Sequence, residues 1–123
     1  MSVLCICVSC LSLLLCMPTS AWPHATLVKS TPARRAVLSK APGHVQLWFN
    51  ERLEARFCHL AVWNAAGQQV DSGDTRVDPE NPKQLSVSLP ALAPGIYTVK
   101  YRVLSVDSHI VEDQFSFTVR GSP

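Results

Sequence analysis

Asp107 and His109 lie two apart in Ser105-Val106-Asp107-Ser108-His109, and a third residue of metal-binding type, His24, stands far upstream. A carboxylate and an imidazole at this spacing project to one side of an extended segment, because strand side chains alternate with period two. His24 follows a hydrophobic leader. If it becomes the first residue of the mature chain, its α-amine and ring nitrogen form one chelate. The three residues then supply the nitrogen-rich tetragonal set that Cu(II) prefers. The plain alternatives are an Asp that merely shapes a turn and a solvated histidine near a frayed terminus.

The leader decides whether His24 can play that part. Residues 3–17 form an apolar run of signal-peptide length, closed by the small residues of Pro18-Thr19-Ser20-Ala21. The run is too short for a comfortable membrane span. No Lys or Arg precedes it, which fits a start codon farther upstream. The expectation is a signal peptide over 1–23, cleaved after Ala21 or Pro23, and one domain over 24–123. Cleavage after Ala21 leaves Trp22-Pro23-His24 at the terminus, and Pro23 has no amide N–H to give up to a metal. A chelate therefore requires His24 itself to come first.

The chain has 123 residues and a formal charge of +2. Its basic residues are scattered among acids, without the clustered Lys/Arg stripe that phosphate binding needs, which excludes nucleic acid as a partner. Four of the five cysteines fall in the leader, so Cys58 alone is left and no internal disulfide can form. No Ser/His/Asp triad, phosphate-cradling glycine loop or paired acids at catalytic spacing is evident.

The elements that must position these residues read as strands. A first strand is expected around Ala25-Thr26-Leu27-Val28, then a turn-rich passage with Pro32 and the short apolar piece Ala36-Val37-Leu38. Val45, Leu47 and Phe49 alternate with Gln46, Trp48 and Asn50, the period of a half-buried strand. A strand from Phe57 to Val62 shares the pattern through Cys58, Leu60 and Val62, and a short strand follows at Gln68-Gln69-Val70. Residues 71–84 are polar and hold Pro79 and Pro82, as a connection over the surface does. Leu85, Val87 and Leu89 alternate again, Tyr97, Val99, Tyr101 and Val103 form the inward face of the longest strand, and Phe115, Phe117 and Val119 that of the last. Seven short strands without a convincing helix predict an all-β, antiparallel, immunoglobulin-like sandwich with Greek-key connections. His44, His59, Trp48 and Trp63 take outward parities, and Cys58 the role of a small buried thiol.

Four stretches together resemble the CopC family of periplasmic copper-binding proteins. They are His24-Ala25-Thr26-Leu27, Phe49-Asn50-Glu51, Pro90-Ala91-Leu92-Ala93-Pro94-Gly95-Ile96-Tyr97-Thr98-Val99, and Val103-Leu104-Ser105-Val106-Asp107-Ser108-His109 with the later Phe115-Ser116-Phe117-Thr118-Val119. The resemblance implies a seven-stranded, cupredoxin-like Greek-key β-barrel or sandwich and one Cu(II) per chain, held by His24, Asp107 and His109, with Glu51 as an acid behind the ligands. It also implies a periplasmic monomer in copper carriage, homeostasis or resistance, and an inner-membrane CopD-like copper transporter as partner. The only methionines are Met1 and Met17, so a methionine cluster for Cu(I) is absent. Ser108 stands where the family usually has glycine between the aspartate and the histidine.

Two other functions are open to such a chain. Amino-terminal histidine chelates on β-sandwiches also occur in copper monooxygenases, but a carboxylate at Asp107 would take one equatorial place at the metal, which favours carriage over an enzyme. A metal-free immunoglobulin-like interaction module would need only the sandwich, and it has no use for the His24/Asp107/His109 set.

Overall fold

A computed structural model describes residues 25–121. His24, the leader and both expected cleavage points lie outside the described residues. The described chain forms eight strands: β1 (Leu27–Thr31), β2 (Val37–Leu38), β3 (His44–Phe49), β4 (His59–Asn64), β5 (Arg76–Val77), β6 (Gln84–Ser88), β7 (Gly95–Leu104) and β8 (Ile110–Val119). They make two four-stranded sheets, ordered β1-β3-β6-β5 and β2-β8-β7-β4. Successive strands repeatedly change sheet, the Greek-key habit of a β-sandwich.

Alternation determines which side chains meet between the sheets. Val45, Leu47 and Phe49 of β3, with Leu85 and Val87 of β6 beside them in the same sheet, face Leu60 and Val62 of β4 and the inward rows of β7 and β8, all of them buried. Burying side chains of this size contributes about 1.5–3 kcal/mol each, the main favourable contribution to folding here. Phe49 meets Tyr101 of the opposite sheet edge-to-face with ring centroids 5.6 Å apart, and Tyr97 stacks on Phe117 at 5.5 Å. His44 and His59 are exposed as expected, while Trp48 and Trp63 are half-buried under the ammonium groups of Lys29 and Lys100.

Several expectations shift. The first strand begins at Leu27 instead of Ala25, and the segment at 57–62 opens with a 3-10 turn, Ala55–Phe57, before β4. The short apolar piece at 36–38 becomes β2, which pairs parallel with β8, so the sandwich is not wholly antiparallel. Gln68-Gln69-Val70 makes only an isolated bridge, Gln69 with Trp63. The 71–84 connection is not merely a surface passage, since it contains β5 and closes the open edge of β4. Asp71 Oδ2 accepts the Val62 N–H at 2.9 Å and Thr75 Oγ1 donates to the Leu60 carbonyl at 3.0 Å. An edge whose backbone groups are satisfied in this way cannot template pairing with another chain.

Candidate metal centre

Three segments meet at one end of the sandwich. The first is the start of the described chain, where Ala25 is buried. The Thr26 N–H donates to Asn50 Oδ1 at 2.7 Å, and the Asn50 N–H donates to the Thr26 carbonyl at 3.0 Å. His24, two residues before this clamp in the chain, lies outside the described residues.

The second segment, residues 50–54, leaves β3 and runs beside the end of β7. The Glu54 N–H donates to the Leu104 carbonyl at 2.8 Å, the Val106 N–H donates to the Arg52 carbonyl at 3.0 Å, and Leu53 forms an antiparallel bridge with Ser105 between them. Glu51 is half-buried, and its Oε2 is shut off from solvent without a hydrogen-bond partner. A carboxylate oxygen held in that condition is a costly arrangement unless a proton or a cation approaches it.

The third segment is the 105–109 turn between β7 and β8. The Ser105 N–H donates to the His109 carbonyl at 3.0 Å and the Ser108 N–H to the Ser105 carbonyl at 2.9 Å. Asp107 and His109 are therefore not alternate positions of one extended strand, and the period-two argument for their common side does not hold. The turn relates them instead. Ser108 has φ 67°, the left-handed conformation that glycine adopts without cost. Asp107 is exposed and His109 half-buried. Among the described residues no three His, Cys, Asp or Glu side chains gather as a metal-holding group.

Two contributors escaped the sequence reading. Ser105 continues the parity of Tyr97, Val99, Tyr101 and Val103, a signal that it too faces inward. Asn50 carried none, because its partner Thr26 is 24 residues away. Cys58 is buried behind the 50–54 segment, its Sγ donating to the Glu54 carbonyl at 3.2 Å and lying 3.9 Å from the Leu104 carbonyl. Burial pushes its thiol pKa up, the carbonyl contact at Leu104 opposing and Glu54 adding to the rise, which leaves it an inert structural thiol. An open groove of about 760 Å³ adjoins Ala25 and Thr26, with Leu27, Tyr101 and Val111 on its walls.

The CopC domain family matches residues 27–120. Among curated relatives, protein YobA of Escherichia coli (strain K12) is 32% identical over 102 residues, 82% of each chain. Copper transport protein CutJ of Bacillus subtilis (strain 168) is 31% identical over 104 residues, covering 84% of this chain but only 19% of its own length. The chain thus spans about a fifth of that relative. Of solved structures, CopC from Methylosinus trichosporium OB3b matches with a TM-score of 0.72 at 32% identity, over 81% of this chain and 97% of that one. PcoC, a methionine-rich copper resistance protein from Escherichia coli, matches with a TM-score of 0.66 at 27% identity, over 79% and 99%.

Proposed function

The chain belongs to the CopC family, and from that membership and the geometry above we propose that it binds Cu(II), one ion per chain, for copper carriage, homeostasis or resistance. The ligands in this reading are the α-amine and ring of His24 with the side chains of Asp107 and His109, and Glu51 acts behind them. The protein is a periplasmic monomer that binds and passes on the ion without catalysing a reaction, with a CopD-like membrane transporter as the recipient.

The observation that carries the reading is the joining of three chain segments, 25–26, 50–54 and 104–109, by hydrogen bonds of 2.7–3.0 Å. That joining sets Thr26, two residues after His24, and the turn bearing Asp107 and His109 against the same strand-end segment. The donor chemistry fits: an exposed carboxylate, a half-buried imidazole and a nearby buried carboxylate oxygen without a partner suit a divalent cation of nitrogen and oxygen preference. Methionines occur only at Met1 and Met17, so the chain has no methionine cluster to supply soft ligands for Cu(I).

Titration of a domain beginning at His24 tests the assignment. One equivalent of Cu(II) is expected, with His109→Ala and Asp107→Ala each weakening binding by at least about tenfold, since either removes a ligand from a small set. Unchanged binding in both variants would sink it.

A further inference from the structure

Ser105 ends the inward row of β7 and is 0% exposed, the one polar residue among the fully buried side chains described. Its backbone is engaged on both sides, the N–H by His109 and the carbonyl by Ser108. Its hydroxyl has no hydrogen-bond partner. Buried hydroxyls are almost always bonded, so a lone one at the foot of this particular turn calls for a reason.

The reason lies across the bridge. Leu53 pairs with Ser105, the Arg52 carbonyl takes the Val106 N–H at 3.0 Å, and the next residue back is Glu51, whose buried Oε2 also lacks a partner. A hydroxyl donor with no acceptor and a carboxylate acceptor with no donor thus stand at diagonal positions of one antiparallel bridge. A glutamate side chain is long enough to reach a diagonal neighbour. An O–H donated to a carboxylate is among the stronger protein hydrogen bonds.

We propose that Ser105 is a positioning residue of the copper site: its hydroxyl donates to the Glu51 carboxylate when the 105–109 turn closes on the ion, locking the turn that bears Asp107 and His109. The inference rests on the copper reading given above. Ser105 touches no metal in this scheme and acts only through the turn.

Four forms of the domain beginning at His24 test it: wild type, Ser105→Ala, Glu51→Ala and the double variant. Thermal unfolding without metal, Cu(II) affinity by competition and the Cu(II) electron paramagnetic resonance spectrum are the readouts. Ser105→Ala is expected to leave the metal-free melting temperature unchanged or raised, because it removes a buried hydroxyl that has no partner there. The same variant is expected to lose about tenfold in affinity, the loss of one charge-assisted hydrogen bond, and to shift the spectrum. The double variant should be no weaker than Glu51→Ala alone, since one bond cannot be lost twice. Unaltered affinity and spectrum in Ser105→Ala, a lowered metal-free melting temperature, or additive losses in the double variant would each overturn the proposal. A wild-type domain that takes up no Cu(II) would instead overturn the copper reading, and this inference with it.

Discussion

Thr26 and Asn50 hold each other reciprocally: the Thr26 N–H donates to Asn50 Oδ1 at 2.7 Å, and the Asn50 N–H donates to the Thr26 carbonyl at 3.0 Å. The clamp holds the chain just after His24 against the residue next to Glu51. Asn50→Ala keeps the second bond and loses the first, costing about 1 kcal/mol of folding stability. Cu(II) affinity should fall by several-fold as the entry to His24 loosens. Calorimetry on both forms measures the two effects, and equal affinity would show that the clamp does not orient the terminus.

The amino terminus itself is open to direct test. A domain starting at His24 is expected to bind Cu(II) distinctly more tightly than one retaining Trp22-Pro23, because only the first has the α-amine beside the ring. A free α-amine titrates near about 7.7–8.0 and must lose its proton to bind. Affinity of the His24 form should therefore rise with pH up to that range, and blocking the amine by acetylation should flatten the part of the rise that lies at about 7.7–8.0. Intact mass of the exported protein together with titration of both forms decides the matter; equal affinities would remove the amine from the ligand set.

Ser108 carries a Cβ at φ 67°. Ser108→Gly relieves that conformation at some cost in unfolded-chain entropy, for a net gain of about 0.5 kcal/mol. Ser108→Val, β-branched in the left-handed region, should lose about 1–2 kcal/mol. Chemical denaturation of the three forms gives the order Gly, Ser, Val; a Val form as stable as Ser would mean that the turn adopts another conformation in solution.

Asp74 supplies a pH dependence away from the proposed copper site. The Ser88 hydroxyl, and then the Ser88 N–H at 2.8 Å, hold its carboxyl below the usual aspartate range. A folded-state value below the unfolded one adds stability at pH above the unfolded value, about 3.9, and that contribution disappears as pH falls through the folded value. Asp74→Asn should therefore be slightly less stable than wild type at pH 7 and match it in strong acid. A stability difference that stays constant from pH 7 down to acid would contradict this.

Cys58 is buried with a raised thiol pKa. Alkylation at neutral pH should be at least about tenfold slower in the folded domain than in denaturant, since the thiolate is the reacting form. Cu(II) binding should persist after Cys58→Ala. A large loss of affinity in that variant would bring the thiol into the site.

Much of this molecule is legible one residue at a time. The alternation of Val45, Leu47 and Phe49, of Tyr97, Val99, Tyr101 and Val103, and of Phe115, Phe117 and Val119 determined the inner faces, and all ten side chains are buried. Period-two patterning says which face a residue takes because only one face of each sheet is dry. It does not say which strand lies alongside. The parallel pairing of β2 with β8, the two-residue β5 and the reduction of 68–70 to a single bridge were decided by contacts between distant segments. The candidate site divides in the same way. Residue types marked out Asp107 and His109, but the extended geometry first assigned to them yields to a turn, because the hydrogen bonds between Ser105 and His109 and between Ser108 and Ser105 close there. Bonds such as Thr26 to Asn50 and Val106 to Arg52 join positions 24 or more apart in the chain. No local pattern encodes them, and only the packed sandwich makes those partners neighbours.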